Sequence, residues 1–246
     1  YDVFDEVARA VGAQALALAH TADDQAETVL MRLLRGTGLT GLAAIPMTRS
    51  LGECTIIRPL LDIWRTEILA YLKTHHLECR QDATNEDPRF VRNRIRTHLL
   101  PLLEQDYNPH IKALLNQLAE QCRTDVGLLQ AVAQRHWKRL VKPHARGFQI
   151  QLEGFGKQPP AIQRQLIRLL IQHLQGGLDR FEFRHWVEIE RLMTERPIGT
   201  VLNLPGDLTL TRDDKDHVIA RRLTPGRCPP HSSKGMVAGV GLAPQR

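Results

Sequence analysis

The chain has 246 residues, 42% of them hydrophobic, which suffices for one or two ordinary cores, and its formal charge of +6 favours a polyanionic partner. No apolar run approaches the ~18 residues of a membrane span and no charged-then-apolar leader is visible, so a cytoplasmic protein with no membrane partner is expected. Cys54, Cys79, Cys122 and Cys228 are scattered and form no CxxC pair, which argues against a zinc knuckle, an iron–sulfur ligand set or a disulfide framework.

Residues 2–11 read as an amphipathic helix feeding a strand, and Tyr1 stands where a Met would open a chain. The sequence is therefore expected to begin in the middle of a domain. Residues 13–20 form a short apolar run, and Ala26, Val29, Leu30, Leu33 and Leu34 follow at helical spacing until Gly36, a good residue to end a helix. A flexible connector, GTGLTGLAAIP, comes next. The spacing predicts a second buried strand over 55–61, limited by Pro59, and a helix over 62–75 opened by Asp62.

From residue 88 the pattern turns helical, with Val91, Ile95, Leu99 and Leu102 along one stripe. Leu114, Leu115, Leu118, Val126 and Leu129 continue it after Asn108-Pro109. Two further amphipathic helices span 159–174 and 181–195, and GTVLNL-PGD-LTLTR-DDKD-HVIARR reads as a small β-meander. The Pro-, Gly- and Ser-rich residues 224–246 lack apolar periodicity and are expected to be disordered. The expected division is thus an α/β sheet domain over 1–104, a mainly helical domain with a β edge over 105–223, and a tail.

Two clusters carry candidate chemistry. In His20-Thr-Ala-Asp23-Asp24-Gln25-Ala-Glu27, a strand ends and a helix begins, the edge at which open α/β sheets bind ligands. Asp24 and Glu27, three apart, share a helix face, with His20 hanging nearby; close carboxylates can hold a cationic amine and take its proton. Thr21 with Asp24 also matches a capping box, so capping alone accounts equally well for part of this pattern. A bound metal is not expected, because one His among acids recurs by chance.

The second cluster is a polar loop containing Asp82, Thr84, Asn85 and Asp87, running into a helix that Asp87 can cap and Pro88 can start. Arg89, Arg92 and Arg96 fall on one flank of it and Arg94 on the other, with no acid within 88–97. Such forks suit phosphate or carboxylate groups, and the alternative is a basic face paired with acids elsewhere. The glycines of RGTGLTG follow a helix where a phosphate cradle would precede one, so capping and loop flexibility explain them better. His75, His76, Trp64, Trp137 and Trp186 read as interface or core residues.

Taken in order, HTADDQAETVLMRLLRGTGLTGL, the RPLL of 58–61, Arg65 with Glu67-Ile68, the DATN of 82–85 and the RNRIR of 92–96 resemble the motif series of the tRNA(Ile)-lysidine synthase family. The resemblance spans about residues 1–105, and the later helices and meander look like the family's tRNA-facing second domain. It implies a Rossmann-like, adenine nucleotide alpha hydrolase-like ATP pyrophosphatase (PP-loop) fold and a ligase using ATP and Mg²⁺. The wobble cytidine of tRNA(Ile) with a CAU anticodon is adenylated at C2, and the ε-amine of L-lysine then displaces AMP. By the same resemblance Asp24 and Glu27 are catalytic at the lysine amine with His20 beside them, and Arg92, Asn93 and Arg96, with Asp82 and Asn85 ordering the loop, bind nucleotide and substrate.

The family's SGGxDS loop is expected upstream of Tyr1, so this chain alone is expected to be inactive. A sibling family, the tRNA 2-thiocytidine synthases, shares the adenylation fold, but the lack of CxxC counts against it. A non-catalytic, basic tRNA-binding fragment is the other alternative.

Overall fold

The computed structural model describes residues 2–52, 54–78, 89–145, 147–176 and 181–223. The chain divides into two compact units, Tyr1–Ala133 and Gln134–Arg246. Asp82, Asn85, the Asp87-Pro88 helix start and the tail 224–246 lie outside the described residues.

The first unit opens with α1 (Asp2–Ala10), β1 (Ala15–Ala17) and α2 (Ala22–Arg35), followed by the short α3 (Leu39–Leu42). Strand β2 (Thr48–Leu51) turns through Gly52, at φ +57°, into β3 (Cys54–Ile57). The sheet order is β1-β3-β2, with β1 parallel to β3 (Ala15 opposite Thr55) and β2 antiparallel to it (Thr48 opposite Ile57). The β2 strand is absent from the sequence expectation, because its residues Thr-Arg-Ser-Leu show no apolar alternation.

Helix α2 is set at both ends by its own sequence. The Thr21 backbone N–H and hydroxyl donate to Asp24 Oδ2 at 2.8 and 3.0 Å, and the Asp24 N–H returns a bond to Thr21 Oγ1 at 3.4 Å. Gly36, at φ +77°, ends the helix with its N–H on the Leu33 carbonyl. Ala26, Val29 and Leu30 form a core with Ala44, Ile95, Leu100, Leu115 and Ala119. Leu115 and Ala119 lie on the long helix α7 (Ile111–Leu140), so the first unit extends to Ala133, past the 104/105 boundary read from the sequence.

Helix α4 is Arg65–Thr74. Asp62 does not open it; the helix starts three residues later, because the Ile63 carbonyl is taken by the Ala22 N–H at 3.0 Å. The Arg65 N–H then donates to the Asp23 carboxylate at 2.8 Å, and Glu67 accepts from the Trp64 N–H at 2.7 Å. Next come α5 (Val91–Arg94), a π-helical segment Ile95–Leu99 and α6 (Leu100–Asp106).

The second unit carries a five-stranded antiparallel sheet in the order β4-β5-β8-β7-β6. Strands β6 (Val201–Leu204), β7 (Leu208–Arg212) and β8 (His217–Arg222) form the expected meander. The hairpin of β4 (Val141–His144) and β5 (Gly147–Gln151) extends it, with Val141 opposite Ile150 and Pro143 tolerated on an edge strand. Helices α8 (Leu152–Gly156), α9 (Pro160–Gln175) and α10 (Phe183–Thr194) pack beside the sheet, burying Phe155, Leu166, Leu170, Ile189 and Leu192 together with Leu210, Val218 and Ala220.

Candidate active site

The carboxylates of α2 and the arginines of α5 and the π segment meet in one cluster. Arg92 and Arg96 are four apart, and the wider turn of the π segment begins between them. Arg92 Nε donates to Glu27 Oε2 at 3.0 Å and its Nη2 to Asp24 Oδ1 at 2.7 Å. Arg96 donates through Nε to Glu27 Oε1 at 2.6 Å and through Nη2 to Glu27 Oε2 at 2.9 Å, and reaches Asp24 Oδ1 at 3.3 Å. Two acids and two guanidiniums thus neutralise one another. The Glu27 side chain is only 2% exposed, whereas Arg92 and Arg96 keep 39% and 29% of theirs in solvent.

Burial explains this arrangement. An ionised carboxylate in the interior needs partners for both charge and lone pairs, and three guanidinium N–H bonds supply them to Glu27. The Glu27 hydrogen bond in turn pushes the Arg96 pKa up, against the pull of burial and with help from the charges of Glu27, Asp24 and Asp23. Asp24 serves two purposes at once: Oδ2 closes the capping box and Oδ1 receives the arginines. The capping and site readings are therefore compatible.

His20 stands just beyond β1. Burial pushes its imidazole below the ordinary 6.5, opposed by the charge of Asp24 and aided by those of Arg58 and Arg92. Its Nδ1 is buried with no hydrogen-bond partner among the described residues. Asn93 is buried on α5, and Asp82 and Asn85 fall outside the described residues. Asp23 is separate from the cluster, spent on the Arg65 N–H and on Lys112 Nζ at 3.7 Å.

Several residues matter here that the sequence patterns did not single out. Arg58, 3% exposed, donates from Nη1 to the Pro46 carbonyl at 2.7 Å while its Nε lacks a partner among the described residues. Gln25, buried on α2, clamps the Ile45 backbone, accepting from its N–H at 2.9 Å and donating to its carbonyl at 3.3 Å. Arg32 donates to the Gly41 and Ala44 carbonyls, at 2.8 and 3.1 Å. The connector after α2 is thereby pinned over the helix. Arg58, Gln25 and Arg32 all lie within the motif blocks that carry the family resemblance, from which no role for them was read; the local signals are polar residues on the inner face of α2 and an arginine inside an apolar strand end.

Residues 1–103 match the PP-loop domain family. Over 225 residues the chain is 40% identical to the tRNA(Ile)-lysidine synthase of Geobacter sulfurreducens, a match covering 91% of this chain and 47% of that protein. The chain belongs to the tRNA(Ile)-lysidine synthase family. The enzymes of the same name from Thermosynechococcus vestitus and Symbiobacterium thermophilum are 36% and 39% identical, over 84% and 77% of this chain and 59% and 44% of theirs. The chain spans about half the length of the curated relatives it matches. Its fold is accordingly the α/β fold of the PP-loop domain, and the acid–arginine cluster lies wholly inside the matched region.

No group of three or more His, Cys, Asp or Glu side chains arranged to hold a metal ion occurs among the described residues. No described helix is long and apolar enough to cross a membrane.

Proposed function

We propose that this chain is part of a cytoplasmic ligase that uses ATP to adenylate C2 of the wobble cytidine in tRNA(Ile) with a CAU anticodon, and then attaches L-lysine. The cytidine C2 oxygen attacks the α-phosphorus and pyrophosphate leaves; lysine Nε attacks C2, the C2–O bond breaks and AMP departs with its electron pair. The observation that carries this reading is the cluster of Asp24, Glu27, Arg92 and Arg96 at the sheet edge of a PP-loop domain.

The cluster suits both steps when its two halves separate. Developing negative charge on pyrophosphate and AMP calls for preorganised cations, and Arg92 and Arg96 are the partly exposed members. A polyphosphate competes with Asp24 and Glu27 for the same guanidiniums, and drawing them off frees the carboxylates for lysine's ammonium. The amine site then opens only after the anion has bound, which orders adenylation before lysine transfer. The imidazole of His20, which burial keeps toward its neutral form, is assigned as an acceptor for the ammonium proton beside the two carboxylates. Asn93, with Asp82 and Asn85, is assigned to ordering the nucleotide loop, and Mg²⁺ to the nucleotide's own phosphates. Residues 105–223 are assigned to the tRNA surface.

The test uses the full-length product of the gene that encodes this chain, measuring pyrophosphate release and lysine incorporation in parallel. Asp24→Asn and Glu27→Gln are expected to slow lysine transfer by at least about tenfold more than adenylation, the loss of one transition-state charge contact. Unchanged lysine transfer in both variants overturns the assignment, and equal loss of both steps in early-melting variants assigns the acids to structure alone.

A further inference from the structure

Within Gln134–Arg246, Trp137 near the end of α7, Phe148 on β5 and His173 in the last turn of α9 converge on one aromatic stack. The Trp137 and His173 rings lie 4.7 Å apart at 18°, face to face, and Phe148 meets both edge-on at 5.4 and 5.8 Å. The stack is not closed over: Trp137 and Phe148 are half-buried and His173 is exposed. His173 Nδ1 lies 2.7 Å from the Leu169 carbonyl, so Nδ1–H donates there and the ring is held in place.

The segment that supplies Trp137 and Phe148 carries one sign of charge. Residues 126–152 contain no Asp or Glu, while Arg135, Lys138, Arg139 and Lys142 are exposed there. None of these four pairs with a carboxylate among the described residues; Arg139 Nη2 meets only the His136 ring, at 3.2 Å. An exposed, pre-oriented aromatic face on the same segment as unneutralised cations suits a nucleic-acid strand that wraps the end of α7, phosphates on the cations and a base on the ring.

We propose that His173, backed by Trp137, is a stacking platform for one unpaired base of an RNA bound along Arg135–Lys142. The proposal rests on the tRNA reading given above and assigns part of that contact to particular residues. The test measures the affinity of this chain and its variants for a CAU-anticodon tRNA transcript by fluorescence anisotropy between about 50 and 200 mM salt, with melting temperatures in parallel. His173→Ala is expected to weaken binding about fivefold or more at an unchanged slope of log K against log salt, because stacking releases no counterions. His173→Tyr keeps the ring and is expected to retain wild-type affinity. Lys142→Gln is expected to flatten the slope by about 1.

Wild-type affinity in a folded His173→Ala variant overturns the platform while leaving tRNA binding standing. So does a loss that appears only as a flatter slope, or one that the Tyr variant shares. Absence of tRNA binding by the wild-type chain at low salt overturns the tRNA reading itself, and the platform with it.

Discussion

Replacing Glu27 by Gln is the sharpest probe of the acid–arginine cluster. The carboxylate is 2% exposed and accepts three N–H bonds, from Arg92 Nε and from Arg96 Nε and Nη2. Glutamine keeps the shape but leaves one acceptor oxygen and turns an NH₂ group toward two guanidiniums. Breaking a fully buried ion pair from one side costs about 3–5 kcal/mol, and since the arginines retain access to water the expected cost here is about 2–3 kcal/mol. At about 2–4 °C per kcal/mol for a unit of this size, the melting midpoint falls by roughly 5–10 °C. Asp24→Asn is the reference: the amide still caps α2, only the Oδ1 contacts weaken, and about 1 kcal/mol is lost. Differential scanning calorimetry of the chain and both variants measures the order. A Glu27→Gln midpoint within about 1 °C of wild type, or an Asp24→Asn loss exceeding it, refutes the view that Glu27 anchors the cluster.

Two further outcomes follow from the same neighbourhood. Burial holds the His20 pKa below the ordinary 6.5, so the unfolded chain takes up a proton that the folded chain resists. The associated stability is fully present above about pH 6.5 and is lost as pH falls through the folded-state pKa; His20→Asn flattens that part of a urea-midpoint profile, and parallel profiles contradict it. Gln25→Leu leaves the Ile45 N–H without its partner and weakens the hold on the Ile45 carbonyl, which Arg123 Nη2 also reaches at 3.3 Å. A loss of about 1–3 kcal/mol in chemical denaturation is expected, and a neutral substitution shows that the connector is not held through Gln25.

The parts of this fold that were legible in the sequence are those dictated by local chemistry. Thr21 with Asp24 and Gly36 mark the ends of α2 because a capping box and a positive φ are written in residue types a few positions apart. The β6–β8 meander was legible from turn residues between alternating segments. What escaped was set by distant partners. Strand β2 exists because β3 offers it a ladder, and α4 begins at Arg65 because α2 holds the Ile63 carbonyl and presents Asp23 to the Arg65 N–H. The candidate site divides in the same way: each cluster could be found by its local pattern, whereas their union across 65 to 72 positions of sequence is a tertiary fact.

That union changes what the sequence's charge means. The run at 89–96 displays four arginines without a local acid, yet Arg92 and Arg96 turn toward Asp24 and Glu27. Elsewhere Arg32, Arg58, Arg123 and Arg212 spend guanidinium N–H groups on backbone carbonyls, of Gly41 and Ala44, Pro46, Ile45 and Leu192 respectively. An arginine tied to a carbonyl keeps its formal charge but loses its freedom to follow a ligand, and for Arg32 burial also pushes the pKa down. The formal +6 therefore counts cations that a passing phosphate does not meet. Among the cations left exposed are Arg135, Lys138, Arg139 and Lys142, on a segment that contains no acid and carries Trp137 of the aromatic stack. The charge that suggests a polyanion in the sequence is thus a larger set than the charge that would touch one, and the salt slope of binding counts only the smaller set.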